Sequence, residues 1–343
     1  MSRTVIRRLL LVGLAFAAPM GCSDDGGMTP SDPTDPGALG LAVGVRIDTT
    51  ALQESGEFTL ELIPSTPSGT SLVGEEWTTT ITLSGGYTAT LLSQTLAIPD
   101  TRPFATAISL DASSSMQSSD PAFERQDAAQ LFAETILADN PASRLSLFEF
   151  AAVESSVTPG WTRVRVLQEW TSSISTFEAA LATMETPTGG FTPLYSTNAA
   201  IVRWMDTTTS AAGERRAMLL LTDGLATDTT KRDSLFEAAA LSGTRIYTVG
   251  VGPGSDRSGN TDPVAVQELQ LIANTTGGLY AGAATPDRLS GIFKAFATTI
   301  TESTILAQFV ISPIPPPGTV ITGTVRMENS RGVAQAPFSF VMP

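Results

Sequence analysis

Between about residues 102 and 303, short apolar runs alternate with segments of helical period, and few folds accommodate that alternation. The runs are 106–110 (TAISL), 145–150 (LSLFEF), 218–221 (MLLL), 246–251 (IYTVGV) and 279–281 (LYA). Between them apolar residues recur at helical spacing. Ala128, Leu131, Phe132 and Ile136 form one set, and Ile174, Phe177, Leu181 and Met184 a second. Leu194, Ile201 and Met205 form a third, and Leu289, Ile292, Phe293 and Phe296 a fourth. Asp120-Pro121 and Asp262-Pro263 read as helix starts, an N-cap followed by a first-turn proline. Strands joined through helices run parallel, and the helices then cover both faces of the sheet. The expected core is therefore a doubly wound α/β domain with a mostly parallel sheet over 102–303. Residues 164–168, bracketed by Trp161 and Trp170, read as an edge strand whose tryptophans pack against the sheet.

On both flanks the period changes to two. Leu41, Val43, Val45 and Ile47 alternate with Ala42, Gly44, Arg46 and Asp48. Phe58, Leu60 and Leu62 repeat the pattern, as do Trp77, Thr79, Ile81 and Leu83, with breaks at Pro64, Pro67, Gly85 and Gly86. Such alternation means antiparallel strands with one wet face. Strand patterns return at 305–311, 320–327 and 338–342. So few strands are marginal alone. Segments 41–101 and 304–343 are therefore expected to pair into one small β-sandwich, with the α/β domain inserted between its halves.

At the start of the chain Arg3, Arg7 and Arg8 precede an apolar run over 9–18, then Gly21 and Cys22. This is the layout of a secretory signal over 1–22. The run falls short of the ~20 apolar residues a spanning helix needs. A cysteine directly after the small residue resembles a bacterial lipoprotein signal, with Pro19 departing from it where Leu is usual. The resemblance implies a lipid anchor at Cys22, and Ser23 behind it implies sorting to the outer membrane of the cell envelope. Residues 23–40 (SDDGGMTPSDPTDPGALG) are too rich in Pro, Gly, Ser and Asp to pack, so they read as a tether.

Composition removes several functions. The 343 residues carry a net charge of −14, which disfavours nucleic acid as a partner because phosphate binding needs a basic footprint. There is no histidine, so the commonest general base and zinc ligand are missing, and Cys22 is the only cysteine. Any metal must be held by oxygen, which points to magnesium, manganese or calcium.

Three fragments lie where such a sheet puts its binding crevice, beyond the carboxyl ends of the strands. One strand runs into DASSSM (111–116), and another, MLLL, runs into TDG (222–224). Between them in sequence lies TGGFTPLY (188–195), a glycine-rich loop that opens a helix. Taken singly, DASSSM reads equally as a helix cap and TDG as a turn. Together, Asp-x-Ser-x-Ser, a Thr in a Gly-Thr-Pro-Leu-like loop and an Asp in Thr-Asp-Gly resemble the metal-ion-dependent adhesion site of von Willebrand factor A domains, over about 102–303. The resemblance implies that Asp111, Ser113, Ser115, Thr192 and Asp223 hold the ion. Phe191 departs from it, separating Gly189-Gly190 from Thr192 where many members have Gly directly before Thr.

A hard cation such as Mg²⁺ takes roughly six oxygens at ~2.0–2.1 Å. Three hydroxyls and two carboxylates suit it, and mostly neutral ligands leave charge to attract a further anionic oxygen. The expected function is metal-dependent protein binding, as in adhesion or envelope-complex assembly, with a partner Asp or Glu carboxylate completing the shell. Mg²⁺ is the expected ion, with Mn²⁺ and Ca²⁺ as alternatives. Two other readings stand beside it. One is a structural lipoprotein whose ion only stabilises the loops. The other is a metallohydrolase, which the lack of histidine and of a spare base argues against. The GVGPG stretch (250–254) lacks the lysine of a phosphate loop and reads as a tight turn, and Asp256, Asn260 and Asp262 read as a solvated loop.

Overall fold

The computed structural model describes residues 39–97, 102–151, 163–188, 190–209, 213–301 and 303–343. Cys22, Trp161 and the signal and tether expected before residue 39 lie outside the described residues.

The alternating first flank forms β1 (Gly40–Arg46), β2 (Glu57–Ser65), β3 (Thr78–Leu83) and β4 (Thr88–Leu96). A short helix, α1 (Thr49–Ser55), links β1 to β2. It starts because the Asp48 carboxylate accepts from the Thr50 and Ala51 N–H groups, and it stops at Gly56, whose φ of 76° suits a residue without a Cβ. The middle region contributes β5 (Phe104–Asp111), α2 (Met116–Ser119), α3 (Glu124–Asp139), β6 (Arg144–Phe150), β7 (Val164–Thr171) and α4 (Ile174–Leu181). It continues with α5 (Leu194–Thr208), β8 (Arg215–Thr222), α6 (Arg232–Ser242), β9 (Arg245–Gly250), α7 (Pro263–Thr276), β10 (Tyr280–Gly282) and α8 (Leu289–Thr301). The last flank forms β11 (Ile305–Ser312), β12 (Val320–Asn329) and β13 (Gly332–Val341).

Strands β6, β5, β8, β9 and β10 pair in that order and run parallel, with β7 antiparallel at the edge beside β6. Two hydrophobic clusters sandwich this sheet. In one, Phe132, Ile136, Phe177 and Phe293 of α3, α4 and α8 pack with Ile108, Leu110, Leu219 and Leu221 of β5 and β8. In the other, Leu194, Met205, Leu235 and Leu269 of α5, α6 and α7 pack against Met218, Leu220 and Ile246. The doubly wound reading of 102–303 therefore describes the observed core, and the expected edge strand is β7. Trp170 at its end stacks on Trp204 of α5, with ring centroids 4.9 Å apart.

The flanks pair with each other, as their shortage of strands requires. β11 lies between β2 and β4, and β12 lies between β3 and β13. Phe58 of β2 meets Phe309 of β11 at 5.7 Å and Phe340 of β13 at 5.1 Å, so the small sheet β13-β12-β3 packs face to face on the larger one. Alternation alone does not reveal that the flank also extends the α/β sheet. β1 runs antiparallel beside β10, with Val43 opposite Tyr280, giving one sheet in the order β4-β11-β2-β1-β10-β9-β8-β5-β6-β7. The junction is close. A Cβ on Gly44 would lie 2.5 Å from the Gly278 carbonyl oxygen, so a larger residue there would push the strands apart.

Two expectations change in detail. β1 has no wet face: Leu41 through Val45 are all buried, because it is an interior strand contacted by α7 and β13. Pro121 does not open a helix. α3 begins at Glu124, and the Asp120 carboxylate caps it from outside by accepting from the Glu124 N–H at 2.8 Å and the Arg125 N–H at 3.3 Å. Asp120 is drawn there by its buried ion pair with Arg125, at 2.6 Å. Asp262-Pro263 does start α7, with Asp262 as its N-cap. Among the described residues no helix is long and apolar enough to cross a membrane.

Candidate metal centre

The site grows out of two buried neighbours. β5 and β8 pair in parallel, so the turns that follow them leave the sheet side by side. Asp111 ends β5 and is buried. One of its carboxylate oxygens accepts from the Ser113 N–H at 2.7 Å, and the other from the Thr222 hydroxyl at 2.5 Å. The Ala112 N–H, 2.9 Å from the Phe150 carbonyl, ties the same turn to the end of β6. The chain then curls into α2, which brings the Ser113 and Ser115 hydroxyls to 3.0 Å from each other. The Ser115 hydroxyl donates to Asp223 Oδ1 at 2.8 Å, joining the first fragment to the third.

Thr192 reaches the same place from the loop before α5. Its hydroxyl lies 3.6 Å from the position a Cβ would take on Gly224, and the Ser115 hydroxyl lies 3.9 Å from that point. The bare backbone of Gly224 thus keeps open a space that both hydroxyls border. The loops are fastened to one another. The Thr227 N–H donates to the Thr192 carbonyl at 2.9 Å, and the Gln117 side-chain amide donates to the Pro187 carbonyl. Asp228 accepts from the Tyr195 N–H at 3.1 Å and the Ser196 N–H at 2.8 Å, anchoring the first turn of α5. All five residues singled out by the motifs therefore gather at one edge of the sheet.

Two contributors escape a reading of the motifs. Thr222, just before Asp223, orients Asp111, and its hydroxyl also accepts from the Gly224 N–H at 3.1 Å. Its sequence signal is its place before Asp223 in Thr-Asp-Gly, as a polar β-branched residue closing an apolar strand, and the motifs give it no role of its own. The GVGPG stretch is a turn, as its composition suggests, and it braces the site: the Gly254 N–H donates to the Asp223 carbonyl at 3.0 Å. A Cβ on Gly250 would lie 1.8 Å from the Gly254 carbonyl oxygen, so the turn folds back only because that residue is glycine.

The electrostatics are those of two anions held together out of water. Burial pushes the Asp111 carboxyl up to about 6; the Thr222 hydrogen bond opposes this, and the negative charge of Asp223 adds to it. Burial also raises Asp223, against the pull of the neighbouring Ser119 and Ser115 hydroxyls. Asp223 Oδ2 is buried and has no hydrogen-bond partner among the described residues. An orphaned buried carboxylate oxygen is costly unless a cation or proton meets it. Among the described residues no three His, Cys, Asp or Glu side chains cluster, so no carboxylate- or imidazole-rich cage competes with this site. The orphaned oxygen, the open face of Gly224 and a donor set made only of oxygen fit a hard divalent cation.

Residues 106–225 match the family model described as von Willebrand factor type A domain, a stretch that contains all five site residues. No curated protein matches the chain. Among solved structures the chain is similar to proximal thread matrix protein 1 from the mussel byssus, at 12% identity over 59% of this chain and 48% of that one, with a TM-score of 0.42. It is similar to the pilus adhesin SpaC from Lactobacillus rhamnosus GG in its open conformation, at 12% identity over 88% and 47%, with a TM-score of 0.44. It is also similar to the manganese-loaded TRAP protein of Plasmodium vivax, at 12% identity over 75% and 98%, with a TM-score of 0.42. The chain spans about half the length of the first two.

Proposed function

We propose that this protein binds a divalent cation through Asp111, Ser113, Ser115, Thr192 and Asp223 and uses it to hold an acidic residue of another protein, without catalysing a reaction. One observation carries the reading: hydroxyls from two distant segments border the open face of Gly224, with the buried carboxylate of Asp223 bonded to Ser115 and that of Asp111 bonded to the Ser113 N–H. Mg²⁺ is the first choice because the donors are few, hard and mostly neutral, with Mn²⁺ and Ca²⁺ as alternatives. When bound, the ion supplies positive charge that the neutral hydroxyls do not cancel, and a carboxylate from a partner would answer it.

The chain's own residues do the rest. Asp111 is fixed by the Ser113 N–H and the Thr222 hydroxyl, and Asp223 is backed by the turn at Gly254. Ser115 is exposed, so the site opens to solvent on its side. Hydrolysis would need a base beside the ion. The chain has no histidine, and Asp111 is already committed to two donors. Export with lipid attachment at Cys22 would place the domain on the outer membrane, facing the periplasm or the surface.

A pull-down from envelope extract tests this. Wild-type protein in Mg²⁺ should retain a partner that EDTA releases and that Asp223→Ala fails to retain. Retention indifferent to both the chelator and the substitution rejects ion-mediated binding. The burial of Asp111, Ser113, Thr192 and Asp223 favours a second reading, in which the ion only fastens the loops. It predicts that EDTA lowers the melting temperature while partner binding survives.

A further inference from the structure

Phe191, the residue that interrupts the Gly-Gly-Thr order, has no place in the core. It is 62% exposed although it directly precedes the buried Thr192. The Arg163 guanidinium carbon lies 5.5 Å from its ring centroid. Leu225 directly follows Gly224 and is 43% exposed. Their loops are tied together by the Thr227 N–H to Thr192 carbonyl bond and by Asp228 on the Tyr195 and Ser196 N–H groups. Phe191 and Leu225 thus stand one and two residues from Thr192 and Asp223, on segments that cannot drift apart. Single exposed apolar residues are ordinary on a protein surface. Two that directly neighbour site residues along the chain, on loops fastened to each other and with a guanidinium beside the ring, give the polar site apolar neighbours.

We propose that Phe191 and Leu225 form an apolar shelf beside the site, and that the partner is a protein segment presenting Asp or Glu next to a large apolar or aromatic side chain. The inference rests on the ion-dependent reading above. The carboxylate meets the positive charge of the loaded site, and the apolar neighbour covers the shelf. A purely acidic run would leave the shelf in water and gain nothing from it.

The test uses the full chain loaded with Mn²⁺ and titrated with acetate or with 3-phenylpropanoate, followed by water-proton relaxation. Both probes carry one carboxylate, and only the second has an apolar arm. Wild-type protein should bind 3-phenylpropanoate about tenfold more tightly than acetate, a ratio consistent with partial burial of one ring. In the Phe191→Ser/Leu225→Ser double variant the preference should fall below about twofold, while Mn²⁺ and acetate affinities stay as in wild type. Equal affinities in wild type, or a preference that survives both substitutions, overturns the shelf and leaves the ion reading standing. Failure of wild-type protein to take up Mn²⁺ overturns both.

Discussion

The two halves of the large sheet follow different rules. In the parallel half, β5 is buried from end to end, and its single charged residue, Asp111, comes last. β8 is buried after its first residue and runs directly into Asp223. In the antiparallel half, β11 alternates buried and half-exposed positions along its length, and β13 of the packed sheet does the same. Exposure at every second position of β11, shared there by Leu306, Gln308, Val310 and Ser312, gives the strand one outward face. In β5 and β8 the acidic residues come only where the strands end, and the chain then delivers Asp111 and Asp223 together at one edge. The flank builds the body, and the strand ends of the parallel half build the candidate site.

Stability and ion binding should therefore separate along the same line. The largest effect is expected from Phe58→Ala, which empties the contact among Phe58, Phe309 and Phe340. Denaturant unfolding should show a loss of about 3–5 kcal/mol, while ion affinity of the folded protein is unchanged. A large drop in affinity would show that the flank shapes the site.

Acid should act on the parallel half. The folded, ion-free protein holds the Asp111 carboxyl at about 6, above an unfolded value of roughly 4, so between these the folded state binds the extra proton. Ion-free stability contributed by this group should fall as pH rises from about 4 to about 6, by on the order of 3 kcal/mol, and level off above. Ion affinity should move the other way, weakening as pH drops below about 6 because protons compete. Unfolding titrations at several pH values, with and without Mg²⁺, measure both. A smaller effect is expected from Thr222→Val, which keeps the shape of β8 but removes a donor to Asp111. Ion affinity should drop by about tenfold, which is ~1.4 kcal/mol, and ion-free unfolding should show a loss of about 1–3 kcal/mol because a buried Asp111 oxygen is left without its donor.

The parallel half is the more legible in sequence, for physical reasons. Continuous apolar runs such as MLLL announce strands buried on both faces, and an acidic residue directly after one announces a strand end. Asp111, Ser113, Ser115, Thr192 and Asp223 could be singled out as candidates because each lies in a short fragment that carries its own turn chemistry. The junction of the halves is not local in this way. Gly44 reads as a small residue in an alternating strand, and only the folded chain shows β1 paired with β10 and Gly44 close against Gly278. α6 hides because Ala238 and Ala239 fill its buried face, and alanine gives a weak periodic signal. Asp120 shows a related limit: its fragment signals a helix start, while its distinct placement follows from a buried arginine five residues later.

Whether side chains from three distant segments together hold one cation is decided by calorimetric titration of Mg²⁺ and Mn²⁺ into wild-type protein and the Asp111→Ala variant, with circular dichroism to check the fold. Wild-type protein should bind one ion per chain, and a folded variant none. Equal ion affinity in the two proteins would contradict a site shared by the three segments.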